Sequence, residues 1–176
     1  MTIDSHRRRN SLRHPGHDYA QSGAVFVRIR SAGGQRLFGS VHDGRVVHTA
    51  SGAMAIDRWE AIPGRFPDVA LDAFVVMPDH VHGILVHGTS AGQEGGSATT
   101  GEVVRWFKAS VHAASRSGVL RDGWPAYDRR LWQRDYFDRI IRSEHDMARY
   151  RGYIDGNPGR WWEKHHADTI GAARAQ

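Results

Sequence analysis

The chain has 176 residues, which suits one domain able to bury roughly two-thirds of the surface its unfolded form would expose. Lys plus Arg number 24 against 19 Asp plus Glu, a formal charge of +5, and this excess of base points towards an anionic partner, nucleic acid foremost. No cysteine is present, which excludes disulfides, thiolate zinc sites and cysteine nucleophiles and suits a reducing cytoplasm. No apolar run approaches the roughly 18 to 20 residues of a membrane span, so no membrane partner is expected.

Residues 1–22 are polar and carry Arg7, Arg8, Arg9, Arg13 and three histidines. No apolar stretch follows the basic residues, so they read as a flexible basic tail and not as a secretory signal. From Ala24 to Arg30 the β-branched and aromatic residues predict a strand, which Gly33-Gly34 breaks. Leu37 to Val41 is expected to be extended, and Asp43-Gly44 to turn the chain into Arg45-Val46-Val47. Ala53, Ile56, Trp59, Ala61 and Ile62 fit a helix over Thr49–Ile62, ended by Pro63-Gly64.

Val69–Met77 and His80–His87 read as strands. The two residues between them, Pro78 and Asp79, leave room only for an antiparallel hairpin. Residues 88–101 are small and polar and read as a flexible loop. Val103, Val104, Phe107, Val111 and Ala114 form the apolar stripe of a helix over Glu102–Ser117. An irregular stretch leads to a last strand with flanks within Leu131–Arg142. Ser143 followed by Asp146 then predicts a helix start. Asn157-Pro158-Gly159 is expected to stop that helix near Gly156 and to leave a weak polar tail.

There is no internal repeat. The division expected is a basic tail over 1–22, one domain over 23–162 and a C-terminal tail over 163–176. The order strand, helix, strand, strand, helix, strand, helix predicts an α+β sandwich of the ferredoxin-like kind, with helices packed on a mainly antiparallel sheet.

His80-Val81-His82 is the sharpest chemical feature. In a strand, residues two apart share a face, so both imidazoles lie side by side and Val81 points the other way. Such a pair can chelate one metal ion. Tyr153 and Asn157, four residues apart near the end of the last predicted helix, lie one turn apart on one face. A tyrosine hydroxyl can attack a phosphodiester, and an amide oxygen can join imidazoles on a hard divalent cation.

The run Val75–Leu85, with Met77-Pro78-Asp79-His80-Val81-His82 at its centre, resembles the His-hydrophobe-His motif of the single-tyrosine HUH transposases. Leu131–Arg142, Tyr150–Pro158, Phe107-Lys108 and Phe26–Arg30 strengthen the likeness. Together they resemble the REP-associated tyrosine transposase branch over about residues 24–162. The resemblance implies an HUH-type fold and a metal-dependent single-stranded DNA endonuclease and strand transferase, acting on hairpin-associated DNA. It implies that His80 and His82 hold Mg²⁺ or Mn²⁺, that Asn157 completes the metal site, and that Tyr153 forms a covalent 5′-phosphotyrosine. Of Tyr136, Tyr150 and Tyr153, the spacing to Asn157-Pro158 favours Tyr153; its other reading is a packing tyrosine.

Arg28 and Arg30 alternate with Val27 and Ile29 and so share one sheet face, either lining a DNA backbone groove or simply solvated. Arg139 and Arg142 carry the same two readings, and Lys108 is expected to contact a phosphate. His87 should face away from the His80/His82 pair, Trp132 should lie in the core, and His165-His166 carries no expected role. The expected partner is single-stranded or hairpin DNA, bound by a monomer or homodimer in the nucleoid-associated cytoplasm. The alternatives are a DNA-binding protein that has lost catalysis and a histidine metalloenzyme unrelated to DNA.

Overall fold

The computed structural model describes residues 23–88 and 98–174, with side chains through residue 165. The basic tail read at 1–22 and most of the loop read at 88–101 lie outside the described residues. Strands β1 (Gly23–Arg30), β4 (Val69–Met77), β5 (His80–His87) and β6 (Phe137–Ile141) form one sheet in the order β4-β5-β1-β6, every pair antiparallel. Helices packed on this sheet complete the expected α+β sandwich. Strands β2 (Gly39–His42) and β3 (Arg45–His48) pair separately, turning at Asp43 and Gly44, whose φ angles of 47° and 71° are those of a tight hairpin turn.

Alternation along β1 divides the molecule. Val25, Val27 and Ile29, with Val81 and Leu85 of β5, face a core built with helices α1 (Ala50–Glu60) and α3 (Thr100–Arg121). Ala24 and Phe26, with Ile84, face the opposite side and pack against Ile154, Met147 and Tyr150 of helix α4 (Glu144–Asp155). The register Arg28↔His82 and Arg30↔His80 puts these four side chains on that second face.

Four local expectations are corrected. Pro63-Gly64 does not end a helix but lies inside a short one, α2 (Ile62–Arg65), where a proline in the first turn loses no helical hydrogen bond. Helix α3 begins earlier and ends later than read, because Thr99 and Glu102 close a reciprocal capping box at its start. Only Phe137–Ile141 of the stretch Leu131–Arg142 is strand. The segment before it is drawn into the core by Trp132, which stacks on Phe38 at 5.1 Å and leaves a single bridge to Ser31.

The fourth correction concerns the end of the chain. Asn157-Pro158-Gly159 does not yield a polar tail; it opens helix α5 (Asn157–Arg174) directly after α4. Pro158 occupies the first turn of α5, where its missing N–H costs nothing. Gly44 at the β2–β3 turn sits beside Gly159, so close that a Cβ on Gly44 would lie 3.5 Å from the Gly159 Cα. The small hairpin thereby buttresses the start of α5. Among the described residues no helix is long and apolar enough to cross a membrane.

Candidate functional site

The Pro78-Asp79 turn delivers His80 and His82 at the start of β5, and Val81 between them is fully buried in the opposite core. The two imidazole rings are 4.4 Å apart, centre to centre. His82 is 1% exposed and lies edge-on to Phe26 at 5.4 Å. Its Nδ1 accepts from the Asn157 amide at 3.3 Å, and its Nε2 is buried with no hydrogen-bond partner. Burial first, then the positive neighbours His80, Arg28 and Arg160, push its pKa from 6.5 down to about 2. His82 is therefore a neutral ligand at any ordinary pH.

His80 is held differently. Its Nδ1 lies 2.5 Å from Asp79 Oδ1, and Arg30 approaches the other carboxylate oxygen at 3.5 Å. Burial alone would raise the Asp79 pKa, but the hydrogen bond and charge of His80, aided by Arg30, outweigh it and hold the carboxyl below its usual range. A carboxylate on Nδ1 fixes the His80 tautomer and leaves Nε2 free.

Helix α4 brings the tyrosine. Ile154 is fully buried on this face of the sheet, Tyr150 stacks on Phe26 at 4.7 Å, and Arg151 grips Asp72 of β4 with two hydrogen bonds of 2.8 and 2.7 Å. These contacts leave Tyr153 on the open side, 38% exposed, with its ring stacked on His82 at 5.2 Å. Tyr150 is a packing residue and Tyr136 packs against the other core, so only Tyr153 of the three candidates meets the histidine pair. Arg160 lies over the Tyr153 ring at 4.7 Å and donates to the Tyr153 carbonyl.

These groups line a cleft of about 410 Å³, shared by Arg28, Arg30, His80, His82, Tyr153 and Asn157. The structure thus brings together the two histidines, Tyr153, Asn157, Arg28 and Arg30. Lys108 is elsewhere, on α3 across the sheet, where its Nζ donates to the carbonyls of Gln133 and Arg134 at 2.6 and 2.9 Å. It clamps the segment leading into β6, a structural role where a phosphate contact was expected. Arg139 and Arg142 are exposed and lie outside the cleft lining. His87 faces away as expected, fully buried and hydrogen-bonded to Thr100 Oγ1 at 2.9 Å.

Asp79, Arg160, Trp161, Lys164 and His165 also line the cleft, and none was singled out from sequence. Asp79 reads as a turn residue until the turn is seen to aim it at His80. The other four carry a legible signal, a helical spacing continuing from Asn157, which the stop read at Asn157-Pro158 conceals.

Among the described residues no group of three or more His, Cys, Asp or Glu side chains gathers as a metal site. The two imidazoles could supply two ligands, the orphaned Nε2 of His82 being the kind of buried nitrogen a cation would satisfy. Asn157 is in reach, but its amide is engaged with His82 Nδ1, so it sits behind the imidazole as its orienting partner.

No family model matches the chain. A solved REP-associated tyrosine transposase bound to a REP hairpin superposes with a TM-score of 0.58, at 18% identity, over 82% of this chain and 71% of that one. A candidate transposase from Deinococcus radiodurans gives 0.51 at 18% identity, over 80% of this chain and 94% of its own. The fold is that of the REP-associated tyrosine transposases, as the sequence motifs imply. An uncharacterized protein of Haemophilus influenzae is 33% identical over 171 residues, covering 89% of this chain and 90% of its own. The chain belongs to one family with that protein.

Proposed function

We propose that this protein is a DNA strand transferase that cuts single-stranded DNA next to a hairpin, with Tyr153 as its nucleophile. The observation that carries this reading is the Tyr153 ring stacked on His82 in a cationic cleft, both from one chain. The Tyr153 oxygen attacks the scissile phosphorus. The new O–P bond replaces the bond to the departing 3′ oxygen, which takes up a proton as the phenol proton is lost. The 5′ phosphate stays on the tyrosine, and a second 3′ hydroxyl reverses the step and rejoins the strand. The linkage conserves the phosphodiester, so no energy source is consumed.

Mg²⁺ or Mn²⁺ held by His80 and His82 supplies Lewis-acid polarisation of the phosphate when bound. Turning the Asn157 amide by half a turn presents its oxygen to Nδ1–H and frees His82 Nε2 as a ligand. Asp79 fixes His80 in the matching tautomer. Arg28, Arg30 and Arg160 offset the charge that builds on the phosphate. Since one chain carries every one of these groups, a monomer suffices. The hairpin substrate is the class bound by the REP-associated relative.

The test is a denaturing gel of protein incubated with labelled hairpin DNA and Mn²⁺. A denaturant-resistant band that is lost in Tyr153→Phe and His80→Ala supports the reading. Hairpin binding without any band under any divalent metal would leave a DNA-binding protein without catalysis.

A further inference from the structure

The residues of α5 that face the cleft are Asn157, Arg160, Trp161, Lys164 and His165. Their spacing, three and four residues apart, makes them one continuous helix face. That face is cationic and aromatic. The cleft as a whole is lined by Arg28, Arg30, Arg160 and Lys164 against a single carboxylate, Asp79, which His80 already engages. This charge pattern complements a polyanion, and it runs past the nucleophile onto α5.

The aromatic part is already stacked. The Trp161 ring lies 3.8 Å from the His165 ring, 23° from parallel, and the Arg36 guanidinium sits 4.8 Å from the Trp161 centroid. His165 Nδ1–H donates to the Trp161 carbonyl at 2.7 Å, which fixes the imidazole in the stack. His165 is exposed, so the stack ends at solvent, where one more flat ring can extend it. Arg160 spends one donor on the Tyr153 carbonyl and keeps the rest of its fork for an anion.

We propose that the first two turns of α5 hold a single strand of DNA beside Tyr153, with Arg160 and Lys164 on its phosphates and an unpaired base on the Trp161–His165 stack. The proposal rests on single-stranded DNA being the substrate of Tyr153, and it names the wall that grips it. An unpaired strand is the occupant the stack selects, because a paired base in a duplex offers no free ring face. Alternating cations and stacking rings are how single strands are held without sequence readout.

The test uses the full chain with EDTA present, so that binding is read without cleavage. Fluorescence anisotropy is measured on a hairpin carrying a single-stranded extension, on the same hairpin with an abasic extension of equal length, and on a blunt hairpin. Removing the bases is expected to weaken wild-type binding about five- to a hundredfold. Trp161→Ala should abolish that difference while binding the abasic form as wild type does, and Trp161→Phe should retain it. Lys164→Gln should weaken both extended forms and lower the salt slope by about one. Equal binding of blunt and extended hairpins, or wild-type behaviour in both Trp161→Phe and Lys164→Gln together with Trp161→Ala, overturns the proposal and leaves strand transfer by Tyr153 standing. If Trp161→Ala fails to fold, an unchanged salt slope in Lys164→Gln overturns it alone. Absence of binding to every DNA form overturns the strand-transferase reading itself.

Discussion

The ring of Tyr153 lies on the ring of His82, 5.2 Å between centres and 25° from parallel. One residue comes from the last turn of α4 and the other from a strand whose register is set by β1, so the contact depends on how that helix is laid on the sheet. The helix is laid there by Ile154, Tyr150 and the Arg151–Asp72 pair, none of which carries chemistry.

Removing only the Tyr153 hydroxyl should leave the stack intact. Tyr153→Phe is expected to change stability by no more than about 0.5 kcal/mol, since the hydroxyl sits on an exposed side chain. Urea unfolding of the two proteins checks this. A large loss would mean that the hydroxyl is structural.

The fold was legible in the sequence where apolar period and turn chemistry agreed. β1, β4 and β5 follow from alternation, and the Pro78-Asp79 turn leaves no option but a hairpin. The histidine pair was legible for the same reason, since His80 and His82 can only share a face. What failed was the reading of breakers. Asn157-Pro158-Gly159 contains the same residues that end helices, but a proline in the first turn begins one equally well, and only the packing of α5 against the β2–β3 hairpin decides between them. Lys108 failed for a different reason: helical spacing places it on a flank of α3 but does not say that two backbone carbonyls already claim its ammonium.

Acid should destabilise the metal-free protein. Burial lowers the pKa of His82, to about 2, and that of His87 also. In both cases the unfolded chain binds the proton more readily, so stability is complete above about pH 6.5 and falls as pH drops below it. The loss approaches about 1.4 kcal/mol per pH unit for His82. Denaturant midpoints measured from about pH 7.5 to about pH 5 test the sign. A midpoint that is flat or rises towards acid contradicts neutral buried imidazoles.

Two glycine substitutions should move stability in opposite directions. A Cβ on Gly83, the residue after His82, would lie 2.2 Å from the buried Trp59 ring. Gly83→Ala is expected to destabilise by about 1–3 kcal/mol through overpacking. Gly152, next to Tyr153 on α4, has nothing within 4 Å of its Cβ position. Gly152→Ala should stabilise by about 0.5–1 kcal/mol through helix propensity. Thermal melts of both variants read the difference.

Asp79 should act through His80. Asp79→Ala leaves Nδ1 without its acceptor and is expected to weaken Mn²⁺ binding about 10- to 100-fold, whereas Asp79→Asn keeps an acceptor oxygen and loses less. Calorimetric titration of each variant with Mn²⁺ reads this without DNA. Equal affinities in all three proteins would remove Asp79 from the account.

The central claim is that Tyr153 becomes joined to DNA. Trypsin separates the candidates cleanly, because Arg149, Arg151 and Arg160 bracket Tyr150 in one fragment and Tyr153 in another spanning Gly152–Arg160. The adduct formed on hairpin DNA with Mn²⁺ would be digested with nuclease and trypsin and its peptides weighed. The account predicts a nucleotide mass on the Gly152–Arg160 fragment. The same mass on the Tyr150 fragment, or strand cutting with no modified peptide, would contradict it.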